Sequence, residues 1–366
     1  MQYPIPALII TLYMAALLLL GLRLSRRQRT TEAYFVAGRS IPGWITGISL
    51  LTTIITSVTF IAYPGAAYVG NWNLLVPGFM FVLVLAAIGM VVVPFYRRAV
   101  AMSAYEYFGK RFGRGVRTYS SLAFAAGHFS KMGFVIYLLA LTVNQVTGWR
   151  IGSMIVGLGA VTIVYTLAGG LEAVMWSDVL QGFLLAIGVV VSLAYLLLSP
   201  HAHPAAMFHL IAANHKTSLG SFRFDLHQPT FWVLAIYGLF FYLQKYTADQ
   251  TVVQRYLAAR TDREALMGTG LGALLCVPVW TAFMLIGTLL WAFYRTSGER
   301  PPVGMSTPDQ IFPHFMITQM PPVASGFFLA ALFGAAMSML ASDLNCLAVI
   351  AVEDHYRMFF PRSTDR

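Results

Sequence analysis

Charge is what this sequence has least of. Asp, Glu, Lys and Arg make up 10% of its 366 residues, against 58% apolar residues and a mean hydropathy of +0.70. Soluble chains carry about 25% charged residues, so ionised side chains are too few here to cover a globule of this size. Much of the surface must face lipid. Cysteine is nearly absent as well. Cys276 and Cys346 both sit inside apolar segments, which excludes a disulfide framework or a cysteine metal site and leaves them as packing residues. The sequence has no nucleophile elbow, metal-ligand helix or phosphate loop of the required spacing, which speaks against a membrane enzyme, and no ring-forming filter to suggest a passive channel. The formal charge of +10 does not indicate nucleic acid either, because the basic residues lie in short gaps between apolar runs rather than on one face of a polar domain.

What the sequence has in abundance is apolar length. A helix crossing the ~30 Å hydrocarbon layer needs about 20 mostly apolar residues. Nine such stretches occur, at 4–22, 42–69, 74–96, 118–146, 151–169, 173–199, 229–250, 265–294 and 322–352. They are continuous rather than alternating, so they predict helices and not barrel strands. The expected fold class is all-α and polytopic, with about nine transmembrane helices in a single membrane domain over 1–366. The first stretch is too long for a signal-peptide core, lacks a basic leader and is followed by arginines, so it reads as a retained anchor with no cleaved leader.

Basic residues in the gaps set the orientation, since Lys and Arg stay cytoplasmic during insertion. One side collects Arg23, Arg26, Arg27, Arg29 and Arg39, then Arg97, Arg98, Lys110, Arg111, Arg114 and Arg117, then Arg255, Arg260 and Arg263, and finally Arg357, Arg362 and Arg366 in the tail. The other side has only Arg150, Lys216, Arg223, Arg295 and Arg300. The N-terminus is therefore expected outside and the C-terminus in the cytoplasm of a plasma-membrane protein. His201, His203, His209, His215 and His227 crowd one external gap, but their spacing matches no zinc motif and they read as a solvated loop.

Four ionisable residues remain at or near membrane depth: Lys131, Lys245, Asp178 and Asp343. Such groups are expensive in lipid and by default mark a site or path; the alternative for the lysines is snorkelling from a helix end. The stretch 42–69 is small or hydroxylated from Thr52 to Thr59 and is followed by Pro64 and Gly65, so it can unwind. The segment FGAAMSMLASDLN, with Ser338 and Ser342 one turn apart on one face, has a similar character. Discontinuous helices at the midplane let transporters coordinate a cation with unwound carbonyls; close packing by small residues is the alternative.

Four stretches carry a family resemblance. AYFVAGRSIPGW at 33–44, GGLEAVMWSDVLQG at 169–182, DQTVVQRYLAARTDREA at 249–265 and AAMSMLASDLN at 335–345 resemble, in order, segments of the sodium:solute symporter family. The third is similar to the loop after that family's seventh helix. The resemblance implies the leucine-transporter type of inverted five-plus-five fold, with 4–22 as an extra N-terminal helix, 42–199 as the first repeat, 229–352 as the first three helices of the second, and 353–366 as a cytoplasmic tail. It implies a C-terminally truncated chain whose rocking bundle lacks partner helices, which keeps a non-transporting sensor or remnant open as an alternative.

The same resemblance implies sodium as coupling ion, with no organic cofactor. It places the principal sodium site at backbone oxygens of Thr52, Ile55 and Ala335, with Ser338 and Met339 at the hydroxyl positions of the last helix. Met339 departs from the pattern, because a thioether is a soft, weak ligand for a hard cation. Asp343, one turn on, is expected to compensate. Asp178 matches a family aspartate near the sodium site, with a helix-terminal charge at the cytoplasmic interface as its alternative reading, and Ser342 lies where some members form a second site. The implied solute site comprises Thr56, Thr59, Lys131 and the stretch from Tyr242 through Lys245 to Tyr246. Thr56 to Phe60 and SKMGFVIYL look closest to sialic-acid-carrying members, in which a basic residue pairs with the substrate carboxylate. The expected solute is a sialic acid or a smaller monocarboxylate, with a sugar or polyol as alternative. Lys131 is expected to meet that carboxylate or, alternatively, an internal acid such as Asp343.

Overall fold

Apolar runs of this length can satisfy their backbone in lipid only by coiling. The computed structural model describes residues 4–299 and 307–360 and holds helices and no strand among them. In chain order these are α1 (Pro4–Ser25), α2 (Thr31–Val36), α3 (Gly43–Ile54), α4 (Ser57–Val69), α5 (Leu75–Ala99), α6 (Tyr105–Phe112), α7 (Arg114–Thr147), α8 (Ile151–Leu198), α9 (Pro204–Ala213), α10 (Phe231–Ala248), α11 (Gln250–Ala258), α12 (Asp262–Thr296), α13 (Ile311–Thr318) and α14 (Pro322–Val349), the last continued by a π-helical stretch over Ile350–Tyr356. Each expected apolar stretch falls on one of these helices, 42–69 being shared between α3 and α4. Among the described residues, five helices are by length and composition sufficient to cross a membrane, or up to seven if the bent pair α3 and α4 and the two halves of α5 each count as one span. The 48-residue α8 holds two of the expected stretches, because Gly170 interrupts it with φ 56° and ψ −156°. A side chain there would be strained by the positive φ, and its Cβ would lie 2.7 Å from the Tyr34 carbonyl oxygen.

The centre of the bundle is the last long segment. The apolar window of 322–359 is 83% buried, against 28% for α1, so α14 is wrapped by its neighbours while α1 lies on the outside against α8 and α14. Leu8, Leu12 and Leu19 of α1, Phe129 and Phe134 of α7 and Val156 and Leu167 of α8 are exposed, which is an outer face for lipid. Glycines let the inner helices close up. A Cβ on Gly268 of α12 would lie 2.6 Å from the Gly43 carbonyl oxygen of α3, and one on Gly287 would lie 2.7 Å from Pro64 Cα of α4.

Two expectations need correction. The FGAAMSMLASDLN segment does not unwind: α14 runs unbroken through Ser338 and Ser342, and the ladder changes only at the π-helical stretch beyond Val349. The stretch after α10 is not a simple loop. Gln250–Ala258 forms α11, all of whose residues are buried, so Arg255 does not belong among the cytoplasmic loop charges. Its chain continues into a short parallel bridge, in which Ile41 N–H donates to the Ala258 carbonyl at 3.0 Å, Arg260 N–H donates to the Ile41 carbonyl at 3.0 Å and Arg260 Nε donates to the Ser40 carbonyl at 2.7 Å. Arg300, Arg362 and Arg366, counted for orientation, lie outside the described residues.

The close approach of α12 to α4 makes a prediction. Gly287→Ala is expected to lower the melting temperature in detergent by several degrees, consistent with the ~1–3 kcal/mol of forced repacking. Gly133→Ala in α7, where nothing lies within 4 Å of the added Cβ, leaves it unchanged or slightly higher. Equal behaviour of the two variants refutes the packing.

Candidate ion and solute site

The site begins with the break between α3 and α4. From Thr52 to Thr59 every residue but Ser57 is β-branched, and Ser57 competes for backbone hydrogen bonds, so helix propensity is low at the point where the chain parts. Ile55 (φ −87°, ψ 98°) and Thr56 (φ −96°, ψ 174°) are extended, and the two helix axes differ by 58°. The ladder of α3 ends with Ile55 N–H on the Leu51 carbonyl at 2.8 Å and resumes with Thr59 N–H on the Thr56 carbonyl at 3.0 Å. The last four carbonyls of a helix have no partner within it. Here they belong to Thr52, Thr53, Ile54 and Ile55, and both carbonyl ligands expected from the sequence are among them. The Thr52 and Thr53 hydroxyls turn back onto their own helix, donating to the Ser49 carbonyl at 3.1 and 2.7 Å. The Ser57 hydroxyl is buried and has no hydrogen-bond partner.

Beside the break lies a fully buried polar cluster centred on Asp178 of α8. Ser49 of α3 and Ser338 of α14 each donate a hydroxyl proton to one of its carboxylate oxygens. Arg255 of α11 completes it. Its Nη2 lies 3.1 Å from Asp178 Oδ2 and donates to Ser342 Oγ at 2.7 Å; its Nε donates to Ser49 Oγ at 2.8 Å and its Nη1 to the Thr251 carbonyl at 2.6 Å. Neither charge is exposed. The structure therefore brings Asp178, Ser338 and Ser342 together, and Asp178 is a core residue rather than a helix-terminal charge at the interface. Ala335 and Met339 flank Ser338 on the same buried helix, and Thr52 meets α8 where a Cβ on Gly182 would touch its Cγ2 at 3.5 Å. Sequence reasoning missed Ser49 and Arg255. Ser49 lies one turn before Thr52 on the same face, and Arg255 is surrounded in sequence by Val252, Val253, Tyr256 and Leu257, a density of apolar residues that a solvated loop does not have.

Asp343 does not compensate for Met339. It turns away from the cluster, with Oδ1 2.8 Å from His128 Nδ1 and its oxygens 3.0 and 2.9 Å from Lys131 Nζ. The internal acid is thus the partner Lys131 has in this structure. Lys245 is likewise occupied, 2.6 Å from Asp249 Oδ2. Tyr242 and Tyr246 share one face of α10 and pack on Phe81, with ring centroids 4.7 and 5.1 Å away, while Trp280 lies 6.2 Å from Tyr242 and 6.4 Å from Tyr63. The Tyr246 hydroxyl is buried and donates to nothing. Buried hydroxyls are nearly always partnered, so Ser57 on one helix and Tyr246 on another are polar atoms in need of one. Thr56, the cap of α4, is half-buried and Thr59 is buried.

A bundle of lipid-facing helices around one broken helix, with hydroxyls and freed carbonyls at the break, is the architecture of a secondary transporter. Residues 34–366 match the sodium:solute symporter family, and the chain belongs to it. It is 32% identical to the sodium/sialic acid symporter SiaT of Proteus mirabilis over 94% of this chain and 69% of that protein. Identity to the sodium/sialic acid symporter NanT of Aliivibrio fischeri is 31%, over 94% of this chain and 68% of the other. The human sodium-coupled monocarboxylate transporter 2 is 27% identical over 93% of this chain, which spans 56% of that relative. Among solved structures, the substrate-bound, outward-open state of a Na+-coupled sialic acid symporter matches with a TM-score of 0.94 and 31% identity, covering 98% of this chain and 75% of the other.

The Asp178–Arg255 pair is open to a double-mutant cycle. Asp178→Asn or Arg255→Met alone leaves a buried charge uncompensated and is expected to destabilise the protein by about 3–5 kcal/mol, read as a lower melting temperature in detergent. The double variant loses less than the sum of the two; strict additivity refutes the coupling.

Proposed function

We propose that the chain carries a small carboxylated solute into the cell together with sodium, and that the break between α3 and α4 is where both bind. The carrying observation is the set of carbonyls freed from Thr52 to Ile55 on the helix whose Ser49 shares the Asp178 carboxylate with Ser338. Sodium is a hard cation that prefers several oxygen ligands. The backbone oxygens of Thr52, Ile55 and Ala335 and the Ser338 hydroxyl suit it. Ser338 donates its proton to Asp178, so both its lone pairs stay free for a cation. Asp178 and Ser342 support the site from the second layer, their charge balance supplied by Arg255. Without a hydroxyl at Met339 the cage has one strong ligand fewer.

Support for the solute class comes from the relatives, whose named substrates are a sialic acid and monocarboxylates, and from the chemistry of the candidate residues. Thr56 and Thr59 donate to a carboxylate, Lys131 supplies the counter-charge after exchanging Asp343 for the substrate, and Tyr242 and Tyr246 offer an aromatic wall with the unpartnered Tyr246 hydroxyl. Lys245 acts on this wall indirectly, through Asp249. The proposed layout keeps 42–199 as the first repeat of the inverted fold, 229–352 as the first part of the second, and the N-terminus outside the plasma membrane.

Sodium occupancy joins α3 to α14 and so favours the arrangement that binds solute, and the effect is reciprocal. Replacing potassium by sodium is expected to tighten N-acetylneuraminate or propionate binding to the detergent-solubilised protein by about 5–150-fold. In Ser338→Ala the sodium effect is largely lost, and in Lys131→Ala carboxylate binding weakens in either salt. Sodium-independent carboxylate binding by the unmodified chain overturns the proposal.

A further inference from the structure

Next to the solute residues runs a chain of five ionisable side chains. From α7, Lys131 Nζ lies 2.9 Å from Asp343 of α14 and His128 Nδ1 lies 2.8 Å from the same carboxylate. The other ring nitrogen of His128, Nε2, faces Asp249 Oδ2 at 3.6 Å, and that oxygen is 2.6 Å from Lys245 Nζ of α10. Other titratable groups around it are Tyr105 of α6, whose hydroxyl reaches the Ala248 carbonyl at 3.5 Å, the Cys346 thiol of α14, which donates to Gln254 Oε1 at 2.9 Å, and Tyr256 and Arg255 of α11, the latter linked to Asp249 through Thr251. Phe124 stacks on the imidazole at 3.8 Å between centroids and closes one face. Asp343 and Asp249 are almost wholly buried and His128 is 11% exposed, whereas Lys131 keeps 34% of its side chain open.

A neutral imidazole donates through one nitrogen only, and only the imidazolium donates to both. Here Nδ1 is within hydrogen-bond distance of Asp343 on α14, and Nε2 lies at ion-pair distance from Asp249 between α10 and α11, so an imidazolium has a carboxylate on either side. With the ring neutral, two ammonium groups and two carboxylates cancel. With the ring protonated the cluster carries one net positive charge, which is expensive in a low-dielectric interior. A substrate carboxylate arriving at Lys131 removes that excess, and the freed Asp343 keeps the imidazolium as its partner.

We infer that His128 is a proton-binding site whose occupancy is linked to solute binding: a proton from water adds to the imidazole as the substrate carboxylate displaces Asp343 from Lys131, with no other bond made or broken. The inference rests on the carboxylate reading of the solute site. Its sodium site and its proton site are separate, and the proton accompanies the anion rather than replacing the metal ion.

The test is isothermal titration of the detergent-solubilised chain with N-acetylneuraminate in saturating sodium, in phosphate and in Tris buffer, from about pH 5.5 to about pH 8.5. The two buffers differ in ionisation enthalpy, so the difference in heat counts protons. Above the His128 midpoint the chain is expected to take up close to one proton per ligand, with affinity falling by up to about tenfold per pH unit. In His128→Gln the uptake vanishes and the affinity is flat with pH. Asp249→Asn, which deletes the charge facing Nε2 and keeps the ring, retains uptake but shifts the profile toward acid by about one unit. Ligand binding with no proton uptake at any pH, or unchanged uptake in His128→Gln, overturns the inference while leaving the sodium-coupled reading intact. If no carboxylate binds in sodium, that reading fails, and potentiometric titration of wild type against His128→Gln decides the proton site alone: a one-proton difference supports it and none refutes it.

Discussion

A guanidinium with no exposure to water holds the interior together. Arg255 can be buried only because its hydrogen bonds reach Asp178, Ser49, Ser342 and the Thr251 carbonyl, which fixes α3, α8, α11 and α14 around one point. The desolvation of an ion pair is repaid only by such complete satisfaction. The arrangement also has an electrostatic effect on its surroundings. Because Asp178 is neutralised by Arg255, the cluster presents dipoles without a net negative charge behind them.

The broken helix and the unbroken one divide the work. α3 and α4 part where β-branched and hydroxylated residues weaken the ladder, and Thr52, Thr53 and Ile55, whose carbonyls are so released, are buried. Non-helical backbone at membrane depth is tolerated only inside protein or against a cavity, which is how Ile55 and Thr56 are placed. α14 contributes side chains from a rigid rod, so Ala335, Ser338 and Ser342 keep a fixed spacing while the facing segment supplies the adaptable part. Asp343 of the same rod joins the Lys131 and His128 network, so one helix serves two polar clusters, which meet at Thr251: its carbonyl accepts from Arg255 and its hydroxyl donates to Asp249.

Much of the fold was legible because hydropathy and lipid thickness leave few choices. The nine apolar stretches fall on helices, the Gly169–Gly170 pair separates the two halves of α8, and the Thr52–Thr59 run marks the break. Errors came where a residue's character was judged from its neighbours in sequence alone. Arg255 followed an apolar span and preceded Arg260 and Arg263, so charge counting placed it in a loop, whereas the buried face of α11 carries it inward. Asp343 lies one turn from Met339, yet its side chain reaches α7, because His128 and Lys131 on successive turns offer a charge-assisted bond. His128 is a lone histidine within an apolar run, and nothing local says that Asp249 from a distant segment will stand at its other nitrogen. The small-residue pattern of α14 is shared by helices that unwind and helices that merely pack closely, and here packing against α8 prevails.

The parallel bridge between Ile41 and the end of α11 ties this interior to the lead-in of α3. Two backbone bonds and the Arg260 guanidinium fasten the lead-in of α3 to the end of the same helix that carries Arg255 in its last turn. The first half of the broken helix and α11 are consequently one mechanical piece, held by backbone bonds at one point and by the Arg255–Ser49 bond at another.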